Sequence, residues 1–124
     1  MIGDDLLGTP FREGARTPGV EIDCLGVVLE LARRRAIDFP DPWQSVAAEW
    51  RRTRSIGSGF PMGWRRLGTE VLRDDDVVLM SGQGVGYVLG GYVWTASPHV
   101  GCCAIQLHRA SARIEEAWRG PCSR

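Results

Sequence analysis

A chain of 124 residues that is 44% apolar and 24% charged has the balance of one compact domain, residues 1–124, and excludes extensive disorder. Fifteen basic residues offset fifteen acidic ones, so no global field draws the protein to nucleic acid or to an anionic membrane. Residues 1–8 read as a short helix or turn that packs Leu6 and Leu7 inward, and residues 8–20, GTPFREGARTPGV, read as an ordered Gly/Pro-rich loop. From Asp23, a plausible N-cap, the apolar positions Cys24, Leu25, Val27, Val28, Leu31 and Ala32 follow helical spacing, and Arg33 to Arg35 suit the C-terminal end of the helix dipole.

Pro40 and Pro42 break that helix, and residues 42–54 resume helical spacing with Trp43, Val46, Ala47 and Trp50 on one face. Residues 55–63 form a loop, and residues 64–71 are either a short helix or extended. Asp74 to Asp76 mark a turn before a buried strand, Val77 to Met80. Strands follow at 85–89, 92–96 and 102–107, with Gly90-Gly91 as the first turn, and residues 109–119 are either a final helix or an extended tail. Helices first and strands second predict an α+β fold, with N-terminal helices packed on a C-terminal antiparallel sheet.

No apolar run reaches membrane-spanning length, and the N-terminus lacks signal-peptide regions, which predicts synthesis in the cytoplasm and no membrane insertion. Cysteines at 24, 102, 103 and 122 have neither metal-ligand spacing nor the density of a disulfide scaffold. Reduced thiols, no metal and no cofactor are the expectation. Cys24 stands apart because the first turn of a helix favours the thiolate that a cysteine nucleophile needs.

The run LLGTPFREGARTPGVEIDCLGVVLEL, residues 6–31, resembles the opening of NlpC-type peptidoglycan cysteine peptidases, especially the short forms found with phage tails. The matching features are Gly8-Thr9-Pro10 with Phe11, the loop of Gly14, Arg16, Pro18 and Gly19, and Asp23-Cys24-Leu25-Gly26. A weaker match continues at Asp76 to Met80, where Asp75 replaces the usual Gly. The resemblance implies a papain-like domain with Cys24 at the nucleophile position, a bacterial wall stem peptide as substrate, and a place beside other proteins of a phage tail or tail-like particle.

It also implies a histidine at the start of the next strand, because an imidazole can both take the thiol proton and return it to the leaving amine near neutral pH. Two alignments compete. In the first, His99-Val100-Gly101 is that motif, and Cys24 and His99 are the catalytic pair. In the second, residues 85–96 span the histidine strand, its turn and the next strand, which fits the strand lengths better. That alignment puts Gly84 at the histidine position and Thr95 at the third, orienting position, and neither supplies a base. The two readings are therefore a peptidoglycan-directed cysteine peptidase and a catalytically degenerate relative that serves as a structural or docking component of the tail tip. His108, beside Arg109 at a strand end, is expected to be a surface or core-edge residue.

Overall fold

Helical spacing of apolar residues produces one long helix, α1 (Cys24–Arg34), in the computed structural model, which describes residues 2–37, 39, 63–81 and 84–121. Its buried stripe is Leu25, Val27, Val28, Leu31 and Ala32, and each buried Val or Leu contributes roughly 1.5–3 kcal/mol before entropy is counted. Ahead of α1, Asp4–Leu6 forms a single 3₁₀ turn with Leu6 buried, and β1 (Arg16–Thr17) pairs antiparallel with β2 (Glu21–Ile22) in a small separate sheet.

The main sheet has six strands in the order β3-β8-β4-β5-β6-β7, every pair antiparallel. These are β3 (Arg65–Arg66), β4 (Val77–Met80), β5 (Gly84–Leu89), β6 (Tyr92–Ser97), β7 (Gly101–Gln106) and β8 (Ile114–Arg119). Gly90 and Gly91, both at positive φ, close the tight β5–β6 hairpin. Side chains alternate between two faces, as strand geometry requires. Val77, Leu79, Val85, Tyr87, Leu89, Trp94 and Ala96 face α1, whereas Val78, Met80, Val88 and Val93 form a second cluster with Ala110 of the four-residue helix Leu107–Ala110.

This architecture corrects the expectation of a papain-like domain with N-terminal helices on a C-terminal sheet. Among the described residues there are only two α-helices, of eleven and four residues, and the fold is dominated by the six-stranded sheet beside its two-stranded companion. The physical reason lies in two segments. Gly3, Gly8, Pro10, Gly14, Pro18 and Gly19 turn the chain before α1 too often for another helix, and the Gly14 and Gly19 positions take positive φ. At the other end, residues 114–119 pair with β4 and extend the sheet to β3. The helix expected over 42–54 and most of the loop expected over 55–63 lie outside the described residues.

Two adjacent aspartates fasten the turn before β4. Asp75 sits at φ +76°, a left-handed conformation that Asp tolerates better than most residues, which rationalises its standing where the resemblance has Gly. Its carboxylate accepts hydrogen bonds from the Tyr87 hydroxyl at 2.6 Å and from Arg35, just past the end of α1, at 2.9 and 3.0 Å. Asp76 is fully buried and accepts two 2.8 Å hydrogen bonds from the Arg119 guanidinium, itself buried, and one from the Arg73 backbone N–H.

Removing Arg119 leaves the Asp76 carboxylate buried without its counter-charge, so Arg119→Ala is expected to lower the unfolding free energy by about 3–5 kcal/mol in chemical denaturation. Asp75 gives a pH signature. Burial raises its carboxyl, but the hydrogen bonds from Arg35 and Tyr87 outweigh that and hold it below the ordinary carboxylate value. Folding thus favours ionised Asp75, whose contribution is complete above its unfolded value of about 4 and is lost as pH falls through the lower folded value. Urea midpoints should drop on that acid side, and Arg35→Ala should flatten the drop.

Candidate functional site

Asp23 organises the site. Its backbone is extended, and its Oδ1 accepts hydrogen bonds from the Gly26 N–H at 2.7 Å and the Arg16 guanidinium at 2.6 Å, while Oδ2 accepts one from the Gly14 N–H at 2.8 Å. One carboxylate thereby caps α1 and ties the preceding loop to it. Cys24 is the first residue of α1 and is half-buried. Gly26 is needed for a different reason. A Cβ there would stand 2.6 Å from Ile22 Cγ1 and 2.9 Å from the Ala15 carbonyl oxygen, so the loop and the helix approach only because position 26 has no side chain.

The loop is held from its other side by Thr9 and Pro10. The Gly19 N–H donates to Thr9 Oγ1, the Ile22 N–H donates to the Pro10 carbonyl, and the Thr9 carbonyl accepts from the Cys102 N–H of β7. Gly101, at φ +72°, lets β7 come this close: its Cβ would fall on the Thr9 carbonyl.

Against the thiol stands Gly84, the first residue of β5. It lies at φ +89°, and an ideal Cβ built on it would lie 2.8 Å from Cys24 Sγ. No real Cβ is accommodated at that distance, so the sulfur fills the place of a side chain at 84. Thr95 is buried on β6, and its hydroxyl donates to the Val85 carbonyl at 2.8 Å. Gly84 and Thr95, the two positions of the second alignment, thus sit on paired strands beside α1, with Gly84 in contact with the thiol.

His99 lies elsewhere. It occupies the exposed turn between β6 and β7, and its side chain makes no hydrogen bond or ion pair with any described residue. Because β5 and β6 are antiparallel, that turn follows the same end of the sheet from which Gly84 starts. His108 is exposed on the four-residue helix. The neighbouring thiols of β7 face opposite ways: Cys102 is buried and Cys103 half-buried, and they are not bridged. Burial first, then Cys103 and Asp5, pushes the Cys102 thiol up to about 12, which removes it as a nucleophile at neutral pH. Among the described residues, no group of three or more His, Cys, Asp and Glu side chains is arranged to hold a metal ion.

Two roles escape a reading of the sequence. Arg16 is the charged partner of Asp23, and Gly26 is a steric necessity; the spacing of acid, loop arginine and glycine around the cysteine is the signal that carries both. No signal short of the backbone conformation reveals that Gly84 has no room for a side chain.

The Gly84–Cys24 contact is directly measurable. Gly84→Ala should destabilise the protein by roughly 1–3 kcal/mol through strain and overlap with sulfur. The cost should shrink in a Cys24→Ala background, giving a coupling of about 1 kcal/mol in a double-mutant cycle. Gly91→Ala, at φ +83° with open space around the new Cβ, should show no dependence on residue 24. Compared with known proteins, the chain matches no protein-family model and no curated protein.

Proposed function

We propose that this chain is a degenerate relative of the NlpC-type cysteine peptidases, with Cys24 at the nucleophile position and Gly84 at the position of the expected histidine, and that it acts as a structural or docking component of a phage tail or tail-like particle. The observation that supports the degenerate reading is the approach of Gly84 to Cys24 Sγ: a Cβ at 84 would lie 2.8 Å from the sulfur, so the position that the second alignment gives to histidine faces the thiol and holds glycine. Without an imidazole there, nothing at that position takes the thiol proton or returns it to a leaving amine. Asp23 is no substitute, because its carboxylate is already committed to Gly14, Arg16 and Gly26.

The relationship rests on the Cys24 loop and not on a papain-like architecture, and the placement in a tail rests on the resemblance of residues 6–31 alone. No helix among the described residues is long and apolar enough to cross a membrane, which is compatible with a particle protein. One observation favours an active peptidase instead: His99 follows the end of the sheet at which Gly84 and Cys24 meet. In that reading Cys24 attacks the amide carbonyl of a wall stem peptide, His99 serves as base and then acid, and backbone N–H groups beside Cys24 receive the oxyanion.

Purified protein incubated with peptidoglycan separates the two. No new stem-peptide fragments should appear by mass spectrometry of the soluble products. Release of such fragments, abolished by both Cys24→Ser and His99→Ala, would instead establish the peptidase.

A further inference from the structure

Residues 70–73, Glu-Val-Leu-Arg, combine three properties that the site at Cys24 does not use. First, Val71 is 86% exposed although its backbone is firmly held: its carbonyl accepts a 3.0 Å hydrogen bond from Arg119, whose guanidinium is clamped by buried Asp76. The next residues are fixed too, since the Arg73 N–H donates to the Asp76 carboxylate. A rigid backbone therefore presents an aliphatic side chain to solvent, which flexibility does not explain.

Second, a cleft of about 190 Å³ opens beside this residue, lined by Leu67, Leu72, Ile114 and Ala117 with Glu70 and Ser111 among its polar members. It has room for one aliphatic side chain, and Val71 lies between two of its lining residues without lining it. Third, the four residues are self-complementary when run antiparallel. Glu70 faces Arg73 of a second copy, Val71 faces Leu72, and the same pairs recur on the other side of the two-fold axis. The charged ends are available: Arg73 is exposed, and Glu70, which also feels the charge of Arg119, is paired with Arg65 at 3.2 Å between two exposed side chains. Such a surface pair is worth little and exchanges partners readily.

We propose that residues 70–73 and the adjoining cleft form an isologous interface with a second copy of this chain, Val71 of each protomer entering the cleft of the other while Glu70 and Arg73 pair across the axis. A two-fold contact needs only one patch, provided that the patch complements itself in shape and charge. The segment is short, well below the span of a standard interface, so the association is weak and concentration-dependent. It gains from local crowding of copies, as in an ordered assembly.

Sedimentation equilibrium over a micromolar to millimolar series tests this, with near-ultraviolet circular dichroism as the check on folding. The wild-type chain should dimerise. Glu70→Arg, which sets like charges against each other twice, should weaken the dimer about tenfold or more. Val71→Ser, at a surface position whose change leaves the core intact, should weaken it as well. Glu70→Arg combined with Arg73→Glu should restore it, because the exchanged charges again pair across the axis. A wild-type chain that stays monomeric throughout the series overturns the proposal. So does a dimer indifferent to Glu70→Arg and Val71→Ser, or one that the charge exchange fails to restore.

Discussion

The Asp23 carboxylate draws three separate pieces of chain to one point: the Gly14 turn, the Arg16 strand and the first turn of α1. The acceptor is charged in each bond, and the Gly26 donor is buried, so these are among the stronger hydrogen bonds available to the fold. Because Asp23 ends β2's connection and begins α1, it converts a Gly/Pro-rich loop into a fixed support for the helix that covers the sheet. Gly26 completes the junction by admitting the Ala15 carbonyl to the helix surface. Thr9 and Pro10 then fasten the same loop to β7. The core face of the sheet is consequently closed by a helix whose start is fixed from several directions.

That arrangement supplies a structural purpose for six residues of the motif. Asp23 caps, Arg16 neutralises, Gly14 donates, Gly26 makes room, and Thr9 and Gly19 hold the loop to its neighbours. A chain that abandoned catalysis would still lose its fold if it lost these residues. Presence of the motif is therefore no measure of activity, and the question passes to the groups that touch the sulfur. Among them is a glycine at φ +89°, on which a Cβ would stand 2.8 Å from the sulfur.

The parts of the fold legible in the sequence are those in which one pattern dominates. α1 carries a clean helical stripe behind an Asp cap, and β5 and β6 flank a Gly-Gly turn that specifies a tight hairpin. Legibility fails where two patterns overlap. Residues 114–119, Ile-Glu-Glu-Ala-Trp-Arg, have good helix formers and a charge pattern that suits a helix, but their backbone is claimed by the edge of β4. Their burial conceals the alternation as well: Glu116 is buried with the Trp118 indole N–H bonded to it, and Arg119 is buried on Asp76. Tertiary pairing overrides local preference there. The two-residue strands β1 and β2 are too short to leave any periodicity. At the site, Cys24 and its cap are readable, while the meeting of Gly84 with sulfur depends on a positive φ and on how α1 lies over β5, neither of which has a linear signature.

The same geometry determines what a side chain at position 84 would displace. An L side chain at position 84 must either leave the φ +89° conformation or displace Cys24 Sγ by the better part of an ångström. The first course disturbs the start of β5, where Gly84 pairs with Met80 and Val85 supplies the carbonyl that accepts the buried Thr95 hydroxyl. The second turns the Cys24 side chain away from the start of β5, within an opening turn of α1 that Asp23 holds to Gly14, Arg16 and Gly26. A side chain at 84 thus requires a change in the backbone at the start of β5 or in the setting of the thiol that faces it. The close approach of thiol and glycine is set by the positive φ at 84 and by the helix start that the Asp23 carboxylate fixes.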